Sequence, residues 1–255
     1  MLEIRELHAG YDGREVLRGV SFTAQRGRIT AIVGPNGCGK TTLLKSLCGI
    51  LPVASGAVLL EGEKLLELPR QALARKAAYL AQNRQTPDIT VERLVLHGRF
   101  PYLSYPRRYR KEDYAIAQKA MERLCILDLA QRPLSSLSGG QQQRAYIAMA
   151  LAQDTPVVAL DEPTTYLDIS HQLQLMRQAR VLAQGGRTVL MIIHDLHHAF
   201  QEADHMVLMR GGEVVAEGTP EEIYASGLID EVFGIKLSRT ATEKGWRYFC
   251  EEAGL

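Results

Sequence analysis

Eight residues near the start of the chain could bind the phosphates of a nucleotide. The segment GPNGCGKT, residues 34–41, matches the pattern G-x-x-x-x-G-K-[ST] and lies between a β-rich run and a helical pattern that begins near Lys40. Its glycines let several backbone N–H groups point inward at a phosphate, and the helix N-terminus adds about half a positive charge. We expect Lys40 to reach the β- and γ-phosphates and Thr41 to coordinate Mg²⁺.

Two adjacent carboxylates follow an apolar run farther along the chain, in VVALDEP at residues 157–163. Asp161 ends a strand that we expect to be buried, at the carboxyl edge where ligands collect in such sheets. It would hold Mg²⁺ through water. Glu162 should point to the other side of the strand end. There it could orient, or accept a proton from, the water that attacks a γ-phosphate.

A second candidate phosphate-binding turn, LSGGQ at residues 137–141, opens a predicted helix. Ser138 has the chemistry of a helix N-cap, and Gly139 and Gly140 leave bare N–H groups that a phosphate could approach. On its own this pattern is more typical of a flexible turn before a helix.

Buried strands alternate with helices on both sides of a helical stretch, which predicts an α/β fold with a mostly parallel sheet. We expect one domain over residues 1–255, with a core in 1–82 and 156–255 and a helical subdomain in 83–155. Pro69 precedes a segment that we expect to be helical, residues 70–80. The Gly-Gly pair at 211–212 predicts a hairpin turn, and a last pair of strands is expected near the C-terminus.

The order of these motifs resembles that of the ATP-binding-cassette (ABC) ATPases over nearly the whole chain. The matching segments are GPNGCGKTT (34–42), LAQN (80–83), LSGGQQQR (137–144), VVALDEP (157–163), TYLD (165–168) and IIHD (192–195). The resemblance implies a P-loop (RecA-like) core with an N-terminal antiparallel β part and a helical insert. The D-loop has Tyr166-Leu167 where many members have Ala-Leu, a departure that changes nothing essential.

The resemblance also implies roles for individual residues and two cofactors, ATP and Mg²⁺. Tyr11 would stack on adenine, His194 would contact the γ-phosphate, and Gln82 would contact Mg²⁺ and the attacking water. The implied catalytic residues are Glu162, His194, Gln82 and Lys40, and the implied metal ligands are Thr41, Gln82 and Asp161. The implied nucleotide-binding residues are Tyr11, Gly34, Pro35, Asn36, Gly37, Cys38, Gly39, Lys40, Thr41, Thr42, Ser138, Gly139, Gly140, Gln141 and Asp168.

In such ATPases two copies pair head to tail, and each ATP lies between the phosphate loop of one copy and the LSGGQ of the other. The resemblance therefore implies an ATP-dependent homodimer in which Ser138 and Gly140 contact the partner's γ-phosphate. It also implies transmembrane permease subunits as partners and, indirectly, a substrate-binding protein.

Several features distinguish among the classes of ABC ATPase. The sequence has no long coiled coil, as DNA-managing members have, no second copy of the motifs, as translation factors have, and no fused membrane helices, as many exporters have. The segment HGRFPYLSYPRRYRKED, residues 97–113, and residues 151–176 resemble importers of iron–siderophore complexes, haem or vitamin B12, especially the ferric-siderophore members. We expect no added regulatory domain. A non-transport ABC ATPase is the remaining alternative.

The segment from residue 82 to 105 is expected to receive a cytoplasmic helix of the permease. Tyr102, Leu103 and Tyr105 are candidate apolar contacts, unless they pack in the core. The basic run PRRYRK (106–111) is either a solvated face or a contact with the permease or with anionic lipid head groups.

Composition and charge restrict the cellular location and the partners that we expect. Apolar residues make up 46% of the chain and the net charge is +1, which is ordinary for a globular protein and unlike a nucleic-acid-coating one. No apolar run approaches the length of a membrane span, the N-terminus lacks a secretory signal, and the four cysteines form no CxxC pair. We expect a peripheral protein on the cytoplasmic face of the bacterial inner membrane, with no nucleic-acid partner.

Overall fold

A computed structural model of the chain describes residues 1–82, 86–164, 168–243 and 245–252. The strands in chain order are β1 (Leu2–Tyr11), β2 (Arg14–Ala24), β3 (Ile29–Val33), β4 (Val53–Leu60), β5 (Glu63–Lys64), β6 (Ala77–Leu80), β7 (Val157–Asp161), β8 (Thr188–Ile192), β9 (His205–Arg210), β10 (Glu213–Gly218), β11 (Ile235–Thr242) and β12 (Gly245–Glu252). The α-helices are α1 (Lys40–Leu47), α2 (Arg70–Leu73), α3 (Val91–His97), α4 (Lys111–Arg123), α5 (Gly139–Ala152), α6 (Ile169–Gln184), α7 (Leu196–Glu202), α8 (Pro220–Ser226) and α9 (Leu228–Phe233).

The central sheet confirms the predicted mostly parallel arrangement. Its strand order is β10-β9-β3-β8-β7-β6. The neighbours β9/β3, β3/β8, β8/β7 and β7/β6 are parallel, and only the β9/β10 pair within this sheet is antiparallel. Every residue of β3, β7 and β8 is buried, because layers of apolar side chains cover both faces of these strands.

A second sheet confirms the expected N-terminal antiparallel part. Its order is β2-β1-β4-β5, and its apolar face joins α1 and one face of the central sheet in a shared core. The contact positions this sheet beside the phosphate loop, because α1 begins at the end of that loop.

Among the described residues between β6 and β7, the α-helices are α3, α4 and α5, with short 3-10 turns between them. α3, α4 and α5 pack on one another through buried residues such as Val95, Met121 and Ile147. One buried ion pair ties this group together: Arg99 Nε donates to Asp113 Oδ1 over 3.0 Å, and both side chains are 8% exposed.

The prediction of a helix over residues 70–80 is wrong for most of that segment. α2 ends at Leu73, a turn follows, and residues 77–80 form the edge strand β6. The reason is tertiary: β6 pairs in parallel with β7, and this pairing overrides the helical preference of the Ala- and Leu-rich sequence.

The remaining C-terminal elements follow the expected pattern. β9 and β10 form a hairpin with Gly211 and Gly212 at its turn, and β11 pairs with β12 in a separate two-stranded sheet. Over the described residues, no helix has both the length and the apolar character to cross a membrane.

Candidate functional site

The phosphate loop connects β3 to α1 as predicted, and the structure explains why two of its positions are glycine. Gly39, which precedes α1, has φ +103°, a backbone conformation that favours glycine. A Cβ on Gly34 would lie 2.3 Å from the Met209 carbonyl oxygen of β9. The loop is therefore packed against the sheet at one end and leads directly into a helix N-terminus at the other.

Lys40 lies within the loop. Its Nζ donates to the carbonyl oxygens of Gly34 and Pro35 over 2.7 and 2.9 Å, and the residue is 6% exposed. Beside it is a cavity of about 170 Å³. The cavity is lined by Val16, Asn36, Gly37, Gly39, Lys40, Thr41, Thr42 and Glu162. A buried ammonium, a helix N-terminus and small residues together form a surface suited to phosphate.

Thr41 and Asp161, predicted as metal ligands, are in contact. Thr41 Oγ1 donates to Asp161 Oδ1 over 3.1 Å, and Tyr79 Oη donates to Asp161 Oδ2 over 2.8 Å. Asp161 is 1% exposed, and burial raises the pKa of its carboxyl while the hydrogen bonds from Tyr79 and Thr41 oppose that shift. A hydroxyl beside a buried carboxylate provides hard oxygen donors, the type that Mg²⁺ prefers, so these residues fit the ion.

Glu162 diverges from Asp161, as the sequence predicts for adjacent residues at a strand end. It has φ +47°, and its carboxylate contacts two predicted site residues. His194 Nε2 lies 2.5 Å from Glu162 Oε1, and Gln82 Nε2 donates to Glu162 Oε2. The Glu162 side chain is 11% exposed and that of His194 is 47% exposed, so the pair is open to solvent on the His194 side.

Tyr11 lies at a larger, neighbouring cavity of about 510 Å³. This cavity is lined by Tyr11, Arg14, Glu15, Val16, Arg18, Gly37, Gly211 and Gly212. Val16 and Gly37 line both cavities, so the two adjoin each other. A nucleotide with its phosphates at Lys40 would place its base near Tyr11, which is 42% exposed and available for stacking.

Several residues at the site were not among the predicted site residues, and Tyr79 and Val16 are two of them. Tyr79 was assigned to a helix, and its contact with Asp161 depends on the pairing of β6 with β7. Val16 is in a strand of the other sheet. No local pattern identifies either. Cys38, in the phosphate loop, is buried, and burial raises the pKa of its thiol, which disfavours a reactive thiolate.

The LSGGQ segment begins α5 with the predicted cap. Ser138 Oγ accepts from the Gln141 backbone N–H, and the Gln141 side chain accepts from the Ser138 N–H in return. Gly139 is exposed, and a Cβ there would meet nothing within 4 Å, so packing against the described residues does not explain the glycine. Residues 138–141, including Gly140, are absent from the lining of the two cavities.

Asp168 caps the N-terminus of α6. Its carboxylate accepts from the backbone N–H of His171 and from the Ser170 hydroxyl, and these bonds lower its pKa to about 2. Asn83 and residues 165–167, which complete the LAQN and TYLD matches, lie outside the described residues.

The side chains of the candidate permease-facing segment differ in how far they are exposed. Leu103 is 7% exposed and packs as a core residue, whereas Tyr105 is 96% exposed. Tyr102 stacks on the Arg99 guanidinium at 3.9 Å. The segment borders a groove of about 630 Å³ lined by Gln71, Arg75, Leu103, Ser104, Tyr105, Pro106 and Arg107.

Comparison of this chain with known proteins identifies its family. The model of the ABC transporter family matches residues 17–165. The chain is 43% identical over 91% of its length to the ferric enterobactin transport ATP-binding protein of Escherichia coli K12, covering 86% of that protein. It is 41% identical over 92% of its length to the iron(3+)-hydroxamate import ATP-binding protein of Bacillus subtilis 168, covering 88% of it. It is 40% identical over 89% of its length to the hemin import ATP-binding protein of Streptomyces coelicolor, covering 80% of it.

Solved structures agree. A nucleotide-free ATP-binding cassette from an ABC transporter superimposes with a TM-score of 0.81 at 26% identity, over 91% of this chain and 97% of that one. The ATP-binding subunit of another ABC transporter superimposes with a TM-score of 0.79 at 26% identity, over 92% and 98% of the two chains.

Proposed function

Because the chain belongs to the ABC transporter family, whose ATP-binding proteins are ATPases, we propose that it powers uptake of an iron chelate through a separate membrane permease. The observation that supports ATP hydrolysis at this site is that His194 and Gln82 both contact Glu162. One carboxylate contacts both His194 and Gln82 at the rim of the cavity that Lys40 lines.

This arrangement supports a division of labour during hydrolysis. Glu162 orients the attacking water and accepts its proton, and His194 and Gln82 hold the carboxylate and the water in position. Lys40 and the loop N–H groups bind the β- and γ-phosphates, so the ammonium would exchange its two carbonyl partners for phosphate oxygens.

Mg²⁺ is the second proposed cofactor. Thr41 and Asp161 would hold it, with Gln82 as a further ligand, and the ion would neutralise charge on the phosphates when bound. Tyr79 and Thr41 already direct hydrogen bonds at the two oxygens of Asp161, so the carboxylate is oriented by the protein.

We infer that the working form is a homodimer with two composite sites. The supporting observation is the exposed start of α5, where Gly139 has open space around it and no contact among the described residues requires a glycine. In the head-to-tail arrangement, Ser138 and Gly140 would meet the γ-phosphate bound by the partner. Residues 83–155 would then form the subdomain that presents LSGGQ.

The proposed cargo is a ferric siderophore, supported by relatives named for enterobactin and hydroxamate transport. Haem is the second candidate, supported by the relative named for hemin import. The permease would contact the groove beside Tyr105 at the cytoplasmic face of the membrane. The exposed arginines of residues 106–110 would face the permease or the lipid head groups beside it.

The first experiment measures the solution mass of Glu162→Gln with and without MgATP. ATP should convert the protein to a dimer, and adding Ser138→Arg should abolish that dimer. Ser135→Arg is the matched control, because Ser135 is exposed and lies three residues before the cap. The composite-site proposal is contradicted if the Glu162→Gln protein that also carries Ser138→Arg still dimerises with ATP. It is also contradicted if the Glu162→Gln protein binds ATP and stays monomeric both with and without Ser138→Arg.

A growth experiment tests the cargo. Cells that lack the gene for this chain should fail to grow on a ferric siderophore as sole iron source and should recover when the gene is restored. Failure on haemin alone would select the second candidate.

A further inference from the structure

We propose that the Gly211–Gly212 turn between β9 and β10 is a clamp that orients the phosphate loop, with Gly212 as a positioning residue for ATP binding. The proposal deepens the nucleotide site described above and rests on it. It assigns a role to a turn that is far from the loop in sequence and matches none of the motifs.

Two backbone hydrogen bonds define the clamp. The Gly212 N–H donates to the Cys38 carbonyl oxygen over 3.1 Å, and the Arg18 N–H donates to the Gly212 carbonyl oxygen over 2.9 Å. One residue therefore connects the phosphate loop to β2, which belongs to the other sheet. The same turn lines the cavity of about 510 Å³ that also contains Tyr11.

The bond to Cys38 has a consequence for the next residue. The carbonyl of Cys38 and the N–H of Gly39 belong to one planar peptide and, in the trans form, point in opposite directions. Because Gly212 holds the carbonyl on the hairpin side, the Gly39 N–H is directed away from the hairpin. Gly39 lines the phosphate cavity, so this N–H is a donor set in place before a phosphate arrives.

Packing explains why residue 212 is glycine. It has φ +92°, and a Cβ there would lie 2.1 Å from the Val16 carbonyl oxygen, which is backbone and cannot move aside cheaply. Gly62, in the turn between β4 and β5, also has positive φ, at +87°, but a Cβ there would meet nothing within 4 Å. Both glycines have positive φ, and they differ in the contact.

This difference provides a matched pair of variants. Gly212→Ala should raise the KM for ATP about tenfold or more, because loss of a positioned donor to a charged group has an effect of this order. Its kcat at saturating ATP should change little, since the donor binds phosphate in the ground state and the transition state alike. Gly62→Ala should leave KM within about twofold of wild type, because Gly62 lines neither cavity, and thermal unfolding establishes that both variants are folded. Equal KM values for the two variants, or a fall in kcat alone, would overturn the clamp.

A measurement on the unaltered protein covers the case in which Gly212→Ala does not fold. In [¹⁵N]glycine-labelled, nucleotide-free protein, the Gly212 amide should exchange slowly with solvent, because the Cys38 carbonyl occupies it. The Gly39 amide should exchange quickly and should become protected when MgATP is added. Rapid exchange at Gly212, or protection of Gly39 before nucleotide is added, would refute the proposal.

The outcomes separate this inference from the proposed function. If wild-type protein neither binds nor hydrolyses MgATP, the nucleotide site itself is wrong. If wild type is active and Gly212→Ala behaves like Gly62→Ala, the site stands and the clamp fails.

Discussion

Removal of one hydroxyl, in Tyr79→Phe, tests how the site holds its buried carboxylate. Tyr79 Oη donates to Asp161 Oδ2 over 2.8 Å, and Asp161 is 1% exposed, so water cannot replace the lost donor freely. A hydrogen bond to a charged group contributes about 1.5–3 kcal/mol. We therefore expect a destabilisation of about 2 kcal/mol, which lowers Tm by roughly 4–8 °C for a chain of this size.

The pH dependence of the destabilisation by Tyr79→Phe follows from the direction in which the pKa of Asp161 is shifted. Its folded-state pKa is already raised above the ordinary value of 3.8, chiefly by burial, so its ionisation opposes folding once the pH exceeds that value. Tyr79→Phe removes a bond that favours the ionised form and should raise the pKa further. The difference in Tm between variant and wild type should thus be full at neutral pH and should shrink as the pH falls through the raised pKa.

The functional readout is the Mg²⁺ concentration that half-saturates ATP hydrolysis. We expect this concentration to rise about tenfold in Tyr79→Phe. A loss of about 1.4 kcal/mol in the free energy of Mg²⁺ binding, from a less well oriented Asp161, corresponds to a tenfold change in the equilibrium constant. Tyr102→Phe is the control, since its hydroxyl donates over 3.3 Å to the neutral carbonyl of Asp154, away from the site. If Tyr79→Phe matches this control in Tm and in Mg²⁺ dependence, the reasoning about Asp161 is refuted.

Three other substitutions and one titration have expected outcomes. Glu162→Gln should retain ATP binding and lose hydrolysis by a factor on the order of 10² or more, as measured by phosphate release, and undiminished turnover would exclude Glu162 as the base. Lys40→Ala should weaken ATP binding in calorimetry by about tenfold or more, because a charge-assisted contact is lost. Arg99→Ala should destabilise the protein by about 3–5 kcal/mol in denaturant unfolding, since it leaves Asp113 buried without its partner; a change below 1 kcal/mol would contradict this. The Asp168 carboxyl should titrate near pH 2 by NMR, and a value near 4 would show that its cap bonds do not persist in solution.

Local sequence was sufficient to predict the parts of the site that are continuous in the chain. The phosphate loop, the Asp161-Glu162 pair and the cap at Ser138 each depend on a few adjacent residues, whose backbone chemistry determines the local conformation. The parallel sheet was predictable because β3, β7 and β8 are apolar throughout, and such runs are stable only when covered on both faces.

Contacts between distant segments could not be derived in this way. Residues 77–80 belong to the segment after Pro69 that was predicted to be helical, and their pairing with β7 makes them a strand. The bond from Tyr79 to Asp161 follows from that pairing. The bond from Gly212 to Cys38 requires three strands and a helix to be assembled first, because it joins a turn to a loop 174 positions earlier. A sequence motif specifies which groups can react with or bind a phosphate, whereas the free energy of packing distant elements determines which groups orient them.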